Sequence, residues 1–213
     1  MCGRFTLYHS SSEIAKAFNL ANLPELKPRY NIAPTQEVAA IVGSEVKGGR
    51  EFKWLRWGLI PHWAKDSSIG AKLINARAES VAQKPSFRSA LSHSRCLIIA
   101  DGFYEWQKTE NRKQPFYIQQ IDGVPFALAG LWSTWQPKNG ETIATCTIIT
   151  TKANEIMQPI HERMPVILKS TDYEKWLAPT VQQPELLQPL LQPYSSDKLK
   201  IAPVSTKVED TPP

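Results

Sequence analysis

The chain has 213 residues, 42% of them hydrophobic and 21% charged, with a net charge of +5. That length holds one sizeable core, and the composition excludes a disordered chain. The modest basic excess admits nucleic acid or another polyanion as a partner without requiring one.

The opening "MCGRF" has no charged-then-apolar signal pattern, and the longest apolar runs are too short for a bilayer. The expectation is a protein of the cytoplasm or nucleoid with no membrane partner. The 3 cysteines, Cys2, Cys96 and Cys146, are widely spaced and form no zinc motif, so no metal or cofactor is expected. Cys96 and Cys146 sit in apolar runs and read as buried strand residues in a reduced protein.

"SSSEIAKAFNL" reads as a helix capped by serine, with Ile14, Ala17 and Phe18 as its apolar stripe. The Pro-rich "LPELKPRYNIAPTQ" predicts an extended loop, "EVAAIVG" a strand and "EVKGGREF" a turn into the next. "KWLRWGLIPHW" predicts a strand that breaks at Pro61, and "AKLINARAES" leads toward a short helix near "SVAQKPSFRSAL". The β-branched and aromatic runs "RCLIIADGFYEWQ", "QPFYIQQ", "VPFALAGLWSTW" and "TIATCTIITT" predict strands, parted by turn signals at "TENRK", "IDGV" and "PKNGE". "KANEIMQPIH" reads as a helix, "RMPVILK" as a strand, "STDYEKWLAP" as a capped helix and "VQQPELLQPLLQPY" as a short packed helix. "LKIAPVSTKV" closes the pattern as a strand, and residues 209–213 are expected to fray. Irregular mixing of strands and helices predicts an α+β fold. It is expected to be a single β-rich domain over residues 1–208, with twisted antiparallel sheets forming an open barrel-like core and a few flanking helices.

Methionine ahead of a small residue is commonly trimmed, which would leave Cys2 with a free α-amine beside its thiol. An α-amine has a reference pKa near 8 and condenses with aldehydes. A thiol on the same residue can then close a five-membered thiazolidine. The alternative is a buried small residue at the start of a strand. In "INARAES", Asn75, Arg77 and Glu79 share one face if the segment is extended. There Asn75 would offer a donor and an acceptor, and Arg77 a phosphate fork; taken in isolation, a solvated strand edge is the better reading. Glu105 lies between Tyr104 and Trp106, where loss of water equips a carboxyl as a general acid; a water-facing strand position is the alternative. His161 suits proton transfer near neutral pH and Arg163 could grip a phosphate; a satisfied structural histidine is the favoured alternative for a lone His. The 7 tryptophans lie partly among basic residues, as in "KWLRWG" and "PHWAK", and would suit base stacking; most fit core positions equally well.

"MCGRF", "PRYNIAPTQ", "RWGLIPHWAKD", "INARAES", "RCLIIADGFYEW" and "IHERMP" together resemble, in order, the motifs of the SRAP family of abasic-site processing proteins. The resemblance runs from Met1 to about Val208. It implies binding to abasic sites in single-stranded DNA and at single/double-strand junctions, by a monomer. It also implies a covalent thiazolidine between Cys2 and the lesion's aldehyde, with lyase activity through the imine and slow reversal. Loss of Met1 would be self-catalysed or left to an aminopeptidase. By the same resemblance Asn75 binds the sugar, Glu105 and His161 move protons, and Thr150 touches the lesion. Arg4, Arg77 and Arg163 hold flanking phosphates, and Trp63 stacks on a neighbouring base. Ile99 and Glu209 depart from the family pattern, the first as a local backbone change and the second at the C-terminal edge.

Class II glutamine amidotransferases also begin Met-Cys-Gly and use "NGE", found here at Asn139–Glu141. That tripeptide sits between two β runs, where Asn-Gly signals a hairpin, and no "RG" segment follows the glutaminase pattern. A passive single-strand binder with an idle Cys2 is the remaining alternative.

Overall fold

Strands dominate the ordered backbone, as the β-branched and aromatic runs predict. The structure, a computed structural model, describes residues 2–21, 23–44, 49–108, 113–138 and 140–210, without the side chains of 209 and 210. In chain order come β1 (Arg4–Leu7), helix α1 (Ser11–Phe18), β2 (Arg29–Ile32), β3 (Glu37–Gly43), β4 (Arg50–Trp57) and β5 (Asn75–Arg77). Next are α2 (Arg88–His93), β6 (Arg95–Ala100), β7 (Gly102–Lys108), β8 (Lys113–Gln120), β9 (Phe126–Trp135) and β10 (Ile143–Lys152). The last are β11 (Arg163–Pro165), β12 (Ile167–Leu168), α3 (Tyr173–Leu177), α4 (Pro184–Leu187), β13 (Leu199–Pro203) and α5 (Lys207–Asp210). Among the described residues, no helix is long and apolar enough to cross a membrane.

The fold is α+β with a barrel core. β10, β4, β3, β6 and β9 pair in that order, and β9 returns to β10, so the barrel closes. β4 and β10 run parallel and the other barrel neighbours antiparallel. Cys96 and Cys146 lie fully buried on β6 and β10, as their apolar runs predict. A second sheet runs β13-β8-β7-β1-β2. The chain passes between the two at Asp101, so "RCLIIADGFYEWQ" is two strands in different sheets. Asp101 fixes this crossing. Its N–H donates to the Thr6 carbonyl at 2.8 Å, and its buried carboxylate accepts from the N–H groups of Tyr8 and His9 and from the His9 ring.

Helix α1 follows the sequence signal closely. Ser10 accepts from the Glu13 N–H, Glu13 accepts in return from the Ser10 N–H, and Ile14 and Phe18 are buried. Asn19 ends the helix in the left-handed region at φ 51°.

Other segments depart from expectation. The Pro-rich loop contains β2, which pairs with β1. The β4 strand ends at Trp57 rather than Pro61. Gly58 adopts φ +129°, and a Cβ there would meet the Gly70 carbonyl at 2.7 Å, so chain reversal happens at the glycine. Residues 155–160 form turns, not a helix: the Asn154 side chain accepts from the Met157 N–H at 3.1 Å, and Pro159 stops propagation. "RMPVILK" divides into β11 and β12 because Val166 changes partner, its N–H donating to Ile149 and its carbonyl accepting from Ala129. α3 starts from a 3₁₀ turn over Ser170–Asp172 and has no side-chain cap. Glu79 lies beyond the end of β5, in a turn. α5 reaches two residues into the stretch expected to fray, and 211–213 lie outside the described residues. The turn signals at 45–48, 109–112 and Asn139 also lie outside them. β9 and β10 pair as an antiparallel hairpin across the last of these, with Ile143 opposite Trp135.

Candidate functional site

β1 carries the start of the chain into the second sheet beside β7. Arg4 pairs with Tyr104 and Phe5 with Phe103. Continuing that register brings Cys2 level with the Glu105–Trp106 segment. Cys2 is fully buried, and its carbonyl accepts from Asn75 Nδ2 at 2.9 Å. Burial pushes the thiol well above the usual range and the neighbouring Glu105 carboxylate adds to this, so the sulfur keeps its proton at neutral pH.

Glu105 shares the inward side of β7 with the fully buried Phe103 and is only 3% exposed. The water-facing alternative therefore does not apply. A carboxyl at a core-facing strand position is costly unless it serves a purpose, which makes it a site candidate on physical grounds. Its Oε1 accepts from the Trp106 N–H at 3.3 Å.

Asn75 comes from β5, a short strand held parallel to β10 with Asn75 opposite Ile148 and Arg77 opposite Thr150. β11 pairs with the same end of β10, Thr150 facing Pro165 and Lys152 facing Arg163. β10 thus gathers the segments that carry Asn75, Arg77, Thr150 and Arg163. The turn before β11 is tied to β7 by Gln107 Nε2, which donates to the Pro159 carbonyl at 2.8 Å. His161 follows that turn. Its Nδ1 lies 2.9 Å from the Arg163 backbone nitrogen and 3.2 Å from the Arg163 carbonyl oxygen, which fixes the ring against that residue's backbone.

Arg163 is engaged within the protein. Its Nη1 and Nη2 donate to the two Glu79 carboxylate oxygens at 2.8 and 3.0 Å. Nη2 also reaches the Thr150 carbonyl at 2.6 Å and hydroxyl at 3.2 Å. Arg4 Nη1 donates to Asn31 Oδ1 at 2.8 Å, and Asn31 Nδ2 holds the Val208 carbonyl. Arg77 is exposed. Trp63 stands apart on the loop after β4, 51% exposed, beside a cleft of about 220 Å³ lined by His62, Ser86, Ser89 and Trp132.

Cys2, Asn75 and Glu105 thus form one cluster, Thr150, His161, Arg163 and Glu79 a second, and Arg4 turns to Asn31. Glu79, Asn31 and Trp106 were not assigned to the site from sequence. Glu79 was legible only as a neighbour of Asn75 and Arg77, and no local signal marks Asn31. Among the described residues, Asn75 Oδ1, Trp106 Nε1 and Arg163 Nε are buried without a hydrogen-bond partner. Unpaired buried polar atoms are rare and costly, and here they belong to strands converging on Cys2.

The fold and site define a class: a β-barrel protein whose buried near-terminal cysteine lies beside an asparagine amide and a glutamate carboxyl. Residues 1–211 match the family described as SOS response associated peptidase (SRAP), and the chain belongs to that family. It is 48% identical over 214 residues to the abasic site processing protein YoqW of Bacillus subtilis (strain 168), covering 98% of this chain and 94% of that protein. It is 33% identical to the abasic site processing protein HMCES of Xenopus tropicalis, covering 87% of this chain and 63% of that longer protein. A crystal structure of a protein from Bacteroides thetaiotaomicron superposes with a TM-score of 0.88 at 28% identity, covering 99% of this chain and 95% of that one.

Proposed function

We propose that this protein acts in the response to DNA damage by binding abasic sites in single-stranded DNA, including single/double-strand junctions, and capping them covalently through Cys2. The observation that carries the reading is the setting of Cys2. A buried thiol lies beside a buried carboxyl, with an amide holding its carbonyl and leaving its own oxygen unpaired. The relatives named for abasic-site processing support the choice of lesion.

An abasic deoxyribose equilibrates between a cyclic hemiacetal and a small open-chain aldehyde. Once Met1 is removed, the Cys2 amine adds to the aldehyde carbon, and loss of one water gives the imine. The thiol then adds across the C=N bond. A C–S bond forms, the sulfur's proton passes to nitrogen, and the five-membered ring closes. Glu105 serves as the proton carrier for ring opening and dehydration, because it is the carboxyl that meets the Cys2 thiol electrostatically. The His161 ring passes a proton to the opening sugar. Asn75 binds the sugar through its unpaired Oδ1. Arg4, Arg77 and Arg163 take flanking phosphates, Thr150 borders the lesion and Trp63 stacks on an adjacent base. At the imine stage, loss of a proton beside the imine carbon opens a β-elimination route, which is the basis for lyase activity. Reversal runs the same steps backward.

The test uses oligonucleotides on a denaturing gel after heating. A single strand with one abasic site should give a shifted band. A strand carrying tetrahydrofuran at the same place has no aldehyde and should give none. Binding to both strands on a native gel, without a shift on the denaturing gel, would instead mark a passive binder.

A further inference from the structure

The best-defined ion pair near the site involves a residue that the reaction does not use. Glu79 meets Arg163 through two parallel N–H···O bonds, at 2.8 and 3.0 Å. A phosphate would adopt the same geometry on a guanidinium fork. The arginine side chain is 12% exposed and the carboxylate 55%, so Glu79 sits outermost, over the face by which an anion would reach the fork. Thr150 holds the other side of Nη2 through its carbonyl and hydroxyl. Arg77 lies close enough to help Arg163 hold the Glu79 carboxyl below its ordinary range. One carboxylate therefore offsets the charge of Arg163 and draws on that of Arg77, two of the cations assigned to the strand's phosphates. The carboxylate side of the pair is open to water, so a competing polyanion can exchange for it on the fork.

We propose that Glu79 is a phosphate stand-in: its carboxylate occupies the Arg163 fork in the free protein and is displaced by a phosphate of the bound strand. This rests on the reading of Arg163 as a strand contact. The carboxylate keeps the fork ordered before binding and sets a penalty on loose polyanions. A strand overcomes that penalty when it also engages the rest of the site.

The experiment measures affinity by fluorescence anisotropy for a single-stranded oligonucleotide carrying tetrahydrofuran, which binds without reacting. Glu79→Gln and Glu79→Ala are compared with wild type and with Glu162→Gln. Glu162 is an exposed acid beside Arg163 that lies off the fork. Both Glu79 variants should bind roughly three- to tenfold tighter at low salt. Their log–log salt slope should stay that of wild type, because the same phosphate occupies the Arg163 fork in both complexes. Glu162→Gln should change affinity less than about twofold. Unchanged or weaker binding by the Glu79 variants would overturn the proposal. So would equal tightening by Glu162→Gln, which would mean general charge repulsion. A parallel reaction of wild type with an aldehyde-bearing strand separates this result from the covalent reading. Binding without crosslinking would remove that reading and leave the Glu79 outcome to stand on its own.

Discussion

Glu105 is the residue whose environment says most about chemistry. It occupies a core-facing position that packing alone would give to an apolar side chain, next to the Cys2 thiol. Glu105→Gln keeps shape and hydrogen-bonding capacity while removing the proton carrier. Crosslinking to an abasic strand should slow by roughly a hundredfold or more, with affinity for the tetrahydrofuran strand within about twofold. Time-resolved denaturing gels and anisotropy read the two separately; a parallel loss of both would make Glu105 a structural residue. Cys2, Asn75, Glu105 and His161 stand out in the sequence as candidates because each lies in a short motif of chemically suited residues. The partners of Arg163 do not. Glu79 and Arg163 are 84 positions apart, and only the pairing of β5 and β11 with the same strand brings them together.

At the scale of elements, local rules were legible and partner choices were not. The Ser10–Glu13 box announced α1 correctly because every group in it lies within one turn. The β6–β7 run read as continuous because its side chains carry no mark of which sheet each half joins. The helix expected before His161 failed because Asn154 and Pro159 favour turns, which a count of apolar positions does not register. Arg95 is a further case. Fully within the fold, it donates to the carbonyls of Leu91, Ser92, Trp176 and Ala178, fastening the ends of α2 and α3 to the barrel. Burial pulls its pKa down to about 10, so it remains a cation at neutral pH. Arg95→Met leaves those carbonyls without their donor, and urea unfolding should register a loss of about 2–4 kcal/mol. A loss below about 0.5 kcal/mol would show that water replaces the arginine.

For the molecule as a whole, barrel closure is what assembles the site. β10 completes the ring with β4 and β9, and its far end supplies the edge on which β5 and β11 dock. The α+β class was evident from the irregular order of runs. Closure was not, because it depends on a parallel contact between β4 and β10 that no sequence pattern encodes. Gly130 on β9 tests the tightness of that ring. A Cβ there would lie 2.7 Å from Cys96 Sγ and 2.9 Å from Ile98 Cδ1. Gly130→Ala should cost about 1–3 kcal/mol in urea unfolding while folded molecules still crosslink. A neutral result would mean the barrel interior yields readily.

The central claim is that the Cys2 amine and thiol act together on one aldehyde. Intact-mass analysis of the product with an abasic single strand tests it most directly, with wild type beside Cys2→Ala and a form that retains Met1. Wild type should give a heat-stable adduct whose mass is the protein without Met1 plus the strand, less one water. Cys2→Ala should give a conjugate only when borohydride reduces the imine, and the Met1-retaining form should give no stable product. A heat-stable adduct of equal yield from either variant would contradict the account.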